Sequence, residues 1–236
     1  MSGFEEPKPH IVTANPGGPE DPLGESVLDP AAPWLRVFEP RDTRLVIGRH
    51  QDPERECLVD AARAAGVPIH RRVAGGGAVV LAPGMVVVAI RLAPTKIGSD
   101  CYFALVNNAL IPGVVAAGGP APVCKGHGDL TLEGTDGVRR KILGASLRQT
   151  SRMVVYLGVL MVDDAVPLME SLLAMPSRQP DYRASRGHRA FCTHLGSVGV
   201  STRRLVECIR ASCLDVLTAE AVLPTSVVSP PPAPLP

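Results

Sequence analysis

The chain has 236 residues, 45% of them hydrophobic and 20% charged, and its 24 basic side chains nearly cancel its 23 acidic ones, leaving a formal net charge of +1. That length can bury one sizeable core, and the charge balance argues against bulk electrostatic attraction to nucleic acid or to an anionic membrane. Six cysteines, at 57, 101, 124, 192, 208 and 213, form no CxxC pair, so the pattern suits reduced thiols better than a zinc knuckle or a disulfide framework.

Residues 1–31 are rich in Pro, Gly and Glu with little apolar periodicity, and 224–236 read PTSVVSPPPAPLP; both ends are expected to be mobile, bounding a domain over 32–223. Neither a signal pattern nor a membrane-length apolar run is present, which predicts a soluble, cytoplasmic protein. Residues 34–38 and 45–47 read as two short strands. Asp52 is placed to cap a helix with Pro53 at its first position, Glu54 and Glu56 in its first turn and Gly66 just beyond its end. A strand over 69–73 then enters the run Gly75-Gly76-Gly77. Residues 78–81 and 85–92 predict a hairpin over Ala82-Pro83-Gly84, and MVVVAI is apolar on both faces, as a central strand must be.

Phe103, Val106 and Leu110 have helical spacing behind Ser99 and Asp100, with Pro112 expected to kink or end that helix. Strands follow near 129–132, 141–147 and 153–162, the first two joined by a turn at 134–137. Asp163 and Asp164 are placed to cap a helix carrying Leu168, Met169, Leu172 and Leu173, and a last helix after Ser201 turns Leu205, Cys208, Ile209 and Val216 inward. Hairpin-rich strands with interspersed helices make the fold class α+β, a mixed β-sheet with flanking helices.

Two segments carry the chemistry. In RRVAGGGAVVLAPG, residues 71–84, paired arginines and a glycine run suit close approach of backbone N–H groups and a guanidinium to an anion. In GHGDLTLEGTDGVRRKILGASL, residues 126–147, an acid starts one strand and a lysine lies near the start of the next, across a glycine-containing turn. Five blocks occur in order: Ile47-Gly48-Arg49 with Gln51; Arg-Arg-x-x-Gly-Gly-Gly-Ala-Val; Gly-x-x-Asp-Leu; Arg-Lys-x-x-Gly; and Pro-x-Tyr-Arg with His-x-x-Phe-x-Thr-x-Leu, ending at Leu195. Together, over roughly residues 23–216, they resemble the lipoate–protein ligase and octanoyltransferase family, whose catalytic fold is shared with biotin–protein ligase.

The resemblance implies an enzyme that activates lipoate or octanoate with ATP to an acyl adenylate and passes the acyl group to a lysine of a lipoyl carrier domain. By the same carry-over Lys141 is the catalytic cation, touching the acid and the α-phosphate together. Arg72, Gly76, Gly77, Ala78, Val79, Val80 and Asp129 contact the nucleotide or adenylate, with Mg2+ on Asp129. Arg71, Gly75, Gly144, Ala145 and Ser146 line the acyl pocket. The accessory domain of longer ligases has no counterpart here, which implies a separate accessory chain or an already activated acyl donor. Neither nucleic acid nor membrane is an expected partner.

Two alternatives stay open. Cys124, beside Lys125, is the candidate nucleophile of an octanoyltransferase that works through a thioester. Leu81, Gly128 and Leu157 stand where the family often has His, Asn and His, which would suit a non-catalytic acyl-binding paralogue. Cys192 is expected to point into the core rather than to pair with His194, and neither His127 nor His188 has a metal-ligand partner in the sequence.

Overall fold

The computed structural model describes residues 21–95 and 97–219 together with the backbone of 11–13. The tail 224–236 lies outside the described residues, as do 1–10 and 14–20 of the N-terminal stretch. Residues 21–31, expected to be mobile, are instead packed. Asp21 accepts hydrogen bonds from the N–H groups of Glu25 and Ser26, starting a 3-10 turn over Glu25–Leu28, and Leu23, Glu25 and Val27 are buried.

The strands are β1 (Ile11–Thr13), β2 (Leu35–Phe38), β3 (Arg44–Ile47), β4 (Ile69–Arg71), β5 (Val79–Leu81), β6 (Met85–Leu92), β7 (Val123–Lys125), β8 (Asp129–Glu133), β9 (Arg139–Gln149) and β10 (Val154–Met161). The helices are α1 (Pro53–Glu56), α2 (Val59–Ala64), α3 (Ser99–Ala116), α4 (Val166–Leu172), α5 (His188–Phe191) and α6 (Thr202–Ala219). The α+β class is as expected, with the strands divided between two sheets. A mixed four-stranded sheet runs β1-β4-β3-β5, and an antiparallel six-stranded sheet runs β2-β6-β10-β9-β8-β7.

β6 is central, as its unbroken apolar run requires. Val86, Val88, Ile90 and Leu92 face the main core under α3 and α6, while Val87 and Ala89 pack on the other side. Alternation with period two thus buries both faces. The expected hairpin between β5 and β6 does not form, because β5 pairs with β3 and β6 with β2 and β10; residues 82–84 carry the chain from one sheet to the other. The Gly84 N–H donates to Glu39, and its carbonyl accepts from Val162 and Asp163, which fixes that crossing.

Asp52 caps α1 through the Glu54 N–H, and Gly66 takes the left-handed conformation past α2, but the single helix expected between them is broken at Cys57 and Leu58. Those residues turn their backbone to the end of α4: Cys57 bridges Leu173, the Leu58 N–H reaches Leu172, and Ala174 donates back to Glu56. A tertiary pairing outweighs local helical preference there.

Pro112 does not end α3, which continues to Ala116. Pro112 and Asn108, whose carbonyl loses its helical donor, are both exposed, while Gly113 on the opposite side is buried against α6. Ser212 of α6 donates to the Ala109 carbonyl at 2.7 Å. Packing on one face and water on the other carry the helix past the proline. α6 buries Leu205, Ile209, Cys213 and Leu217, a strict i, i+4 stripe, so Cys208 and Val216 sit at its margins rather than in it. A Cβ on Gly113 would lie 3.0 Å from the Ile209 backbone, so Gly113→Val should separate α3 from α6. The expected cost is about 1–3 kcal/mol, read from urea unfolding followed by circular dichroism.

Candidate active site

The glycine loop between β4 and β5 is held from inside. Arg72 is buried, and its guanidinium donates to the Gly75 carbonyl through Nε (2.9 Å) and Nη2 (2.6 Å) and to the Gly77 carbonyl at 2.7 Å. Burial lowers its pKa to about 10, partly offset by the negative charge of Glu25, so it stays a cation at neutral pH. Glu25 accepts the Val73 N–H at 2.7 Å, and burial raises its pKa. Arg71 Nη1 donates to the carbonyls of Gly48, Arg49 and Gln51. Both arginines, expected to face a ligand, therefore shape the loop. What the loop presents outward is Gly75, Gly76 and Gly77, all exposed, with no hydrogen bond from their N–H groups among the described residues.

The loop docks on the end of β3. The Arg49 N–H donates to the Ala74 carbonyl, Gln51 accepts from the Gly48 N–H, and a Cβ on Gly48 would fall 2.2 Å from the Gly76 carbonyl. Gly76 itself is left-handed (φ +90), and its own Cβ would lie 3.3 Å from that of Ser146 on β9. Only glycine fits both positions, and their contact brings the first two sequence blocks together.

On β8 and β9 the pairing register shifts between Leu130, which faces Leu143, and Thr131, which faces Lys141. Ile142 is the extra residue of a bulge, and both Ile142 and Leu143 are buried in the main core. Adjacent residues of a regular strand point to opposite faces; the bulge puts these two on one face and turns Lys141 to the other. There Lys141 Nζ meets Asp129 Oδ1 at 2.8 Å, with the side chains 25% and 14% exposed. Gly144 shares that face: a Cβ there would lie 2.8 Å from Lys141 Cε and Nζ and 3.9 Å from Asp129 Oδ1. The lysine lies flat across the missing side chain.

The second oxygen of Asp129 accepts a hydrogen bond from the Tyr182 hydroxyl at 2.6 Å. Burial, and then the charge of Asp129, raise the Tyr182 pKa, keeping the phenol a neutral donor. Cys192 bridges Lys141 in parallel, and the Thr193 N–H donates to the Lys141 carbonyl at 2.9 Å. Tyr182 belongs to the Pro-x-Tyr-Arg block, but the spacing alone assigns it no role, because its target is 53 residues away.

The structure thus brings Lys141, Asp129, Gly144, Ser146 and the loop at Gly76 to one face. It does not bring Ala145, which packs toward the main core, or Val80, which is buried between β3 and the helices; Ala78 and Val79 are half-buried beside the loop. Cys124 pairs with Leu130, which faces the main core, and its sulfur accepts from Asn107 of α3 at 3.6 Å. The thiol lies on the face opposite Lys141 and Asp129. Cys192 is buried as expected, with its pKa raised by burial, and His194 reaches the Val162 carbonyl instead. Of the three departures, Leu81 and Leu157 are buried among apolar neighbours, and a Cβ on Gly128 would lie 2.5 Å from the Phe103 ring.

Both oxygens of Asp129 already have a donor, one from Lys141 and one from Tyr182, so a magnesium ion bound there would share the carboxylate with them. Among the described residues no group of three His, Cys, Asp or Glu side chains could hold a metal, and no helix is long and apolar enough to cross a membrane.

The fold of this chain is similar to that of an archaeal bipartite lipoate protein ligase from Thermoplasma acidophilum, solved in a study that includes its E2 lipoyl domain. That likeness has a TM-score of 0.67 at 19% identity and covers 78% of this chain and 71% of that one. It is also similar to a lipoate-protein ligase A bound with ATP, at a TM-score of 0.64 and 18% identity over 78% and 72% of the two chains. A stretch of 67 residues is 37% identical to a chain from Aeropyrum pernix provisionally named lipoate-protein ligase A, covering 28% of this chain and only 25% of that relative. The lipoyl protein ligase A/B catalytic domain matches residues 20–212, a span holding every site residue described above, and the chain belongs to that family.

Proposed function

We propose that this chain is an ATP-dependent ligase that joins lipoate, or the related octanoate, to a lysine of a lipoyl carrier domain. The observation that carries the reading is the Lys141–Asp129 pair lying over Gly144, on the face that reaches Gly76 through Ser146. One oxygen of the acid attacks the α-phosphorus of ATP and pyrophosphate leaves, giving the acyl adenylate. The carrier lysine then attacks the acyl carbon, its amine loses a proton, and AMP leaves. Both halves bring anionic oxygens together, and a positioned cation lowers that cost.

Lys141 has the form for this work, a compact ammonium with three donors, of which Asp129 takes one. The N–H groups of the exposed Gly75 to Gly77 supply further donors to phosphate. Arg72 contributes indirectly, by holding the Gly75 and Gly77 carbonyls inward so that the loop keeps this shape. Leu157, in a buried cluster with Val27 and Ala74, gives the Ser146 end of the site an apolar wall suited to a hydrocarbon chain. The neighbouring structure studied with its E2 lipoyl domain supports a carrier of that kind, and an accessory chain remains part of this proposal.

The thioester route through Cys124 is disfavoured by the position of that thiol on the other face of the sheet. Mass spectrometry of a lipoyl carrier domain, incubated with the chain and either lipoate plus MgATP or octanoyl carrier protein alone, decides between them. Modification with lipoate and ATP is expected, and Cys124→Ala should leave it unchanged; modification from octanoyl carrier protein alone, lost in that variant, would replace the ligase reading. Lys141→Ala should reduce adenylate formation about a hundredfold or more with the fold intact by circular dichroism. Gly144→Val should have a similar effect on rate by displacing the Lys141 side chain, with the thermal midpoint changed far less than the activity.

A further inference from the structure

The segment 180–193 contacts both members of the central ion pair. At one end Tyr182 donates to Asp129 Oδ2; at the other, Cys192 and Thr193 pair with the backbone of Lys141. Between them the segment is locked by its own side chains. Ala184 (φ 49) and Ser185 (φ 57) are left-handed without being glycine, a conformation that needs support from its surroundings. Arg183 Nε donates to the Arg186 carbonyl and Arg186 Nε to that of Arg183, closing the turn. Arg186 also reaches the Tyr182 carbonyl at 2.9 Å and, at 3.1 Å, the carbonyl of Arg139 near the start of β9. The Arg183 and Arg186 guanidiniums lie 4.6 and 5.2 Å from the Phe191 ring centroid, and Tyr182 packs on that ring at 5.2 Å.

From this geometry we infer that Tyr182 is a positioning residue, fixing the Asp129 carboxylate so that its other oxygen holds Lys141 in the orientation that activation of the acid requires. A carboxylate held through one oxygen can swing about its Cβ–Cγ bond; donors on both oxygens define its plane. Lys141, held at its carbonyl by Thr193 and at its ammonium by Asp129, is then set at both ends by one folded segment. Tyr182 touches neither phosphate nor acyl group in this role, and acts through Asp129. The inference rests on the proposed ligase reading for its consequence, but the contact itself is tested separately.

Tyr182→Phe keeps the ring against Phe191 and removes only the hydroxyl, so the thermal midpoint should hold within a few degrees. The expected result is a kcat for adenylate formation lowered about ten- to a hundredfold, as for loss of one hydrogen bond to a charged acceptor, with the KM for lipoate within about twofold of wild type. Unchanged kcat overturns the inference, as does a loss confined to KM.

The second measurement needs no activity. With carbon-13 at tyrosine Cζ, the three tyrosine resonances are resolved by NMR, and that of Tyr182 is assigned by its loss in Tyr182→Phe. Tyr182 is faced by Asp129, Cys192 and Arg186. In Asp129→Asn the Tyr182 Cζ resonance at neutral pH should move from its wild-type position, because the hydroxyl loses its charged acceptor; an unmoved resonance overturns the anchor. If the wild-type chain makes no adenylate while that resonance moves, the ligase reading fails and the Tyr182–Asp129 anchor stands.

Discussion

A single extra residue in one strand sets the geometry on which the site depends. Without the bulge at Ile142, strict alternation along β9 would put Lys141 and Gly144 on opposite faces, and the lysine would project toward the core under α3. With it, Lys141, Gly144 and Ser146 share a face, Ile142 and Leu143 both serve the core, and the ammonium lies within hydrogen-bond distance of Asp129. Bulges re-aim side chains in this way at many functional sites. Here the two consecutive apolar residues that anchor the bulge are also what holds it in place, since moving either outward would expose buried surface.

Around that pair the molecule uses buried charge as scaffolding. Arg72 and Glu25 are both buried and lie on either side of the chain entering the glycine loop, one gripping its carbonyls and the other its Val73 N–H. Arg71 performs the same service for the Gly48 turn. A buried guanidinium is costly unless its donors are met, and loop carbonyls meet them. The arrangement leaves Gly75, Gly76 and Gly77 exposed, with no hydrogen bond from their N–H groups among the described residues.

The three departures from the family pattern have packing reasons in this chain. Leu157 and Leu81 are absorbed into small apolar clusters, and Phe103 fills the space beside Gly128. Polar groups at these places would be buried without evident partners.

Much of the fold was legible in the sequence, because the signals were local: the two-sided apolar run of β6, the Asp52-Pro53 cap, the glycine turns and the block order that pointed to the family. Lys141, Asp129, Gly144, Gly76 and Ser146 were expected near the site from the resemblance, and the fold brings them to one face; the approach of Gly76 to Ser146 was not foreseen. What failed depended on partners distant in the chain. The helix after Asp52 breaks because residues near 173 claim its backbone, α3 passes Pro112 because α6 supports it, and residues 21–31 pack because Glu25 and Leu23 find partners far along the chain. The roles of Arg71 and Arg72 as loop scaffold, the face of Ala145 and Cys124, and the hold of Tyr182 on Asp129 were decided only by tertiary structure. A sequence states which donors and acceptors exist; which face each occupies depends on register, and one bulged residue reverses it.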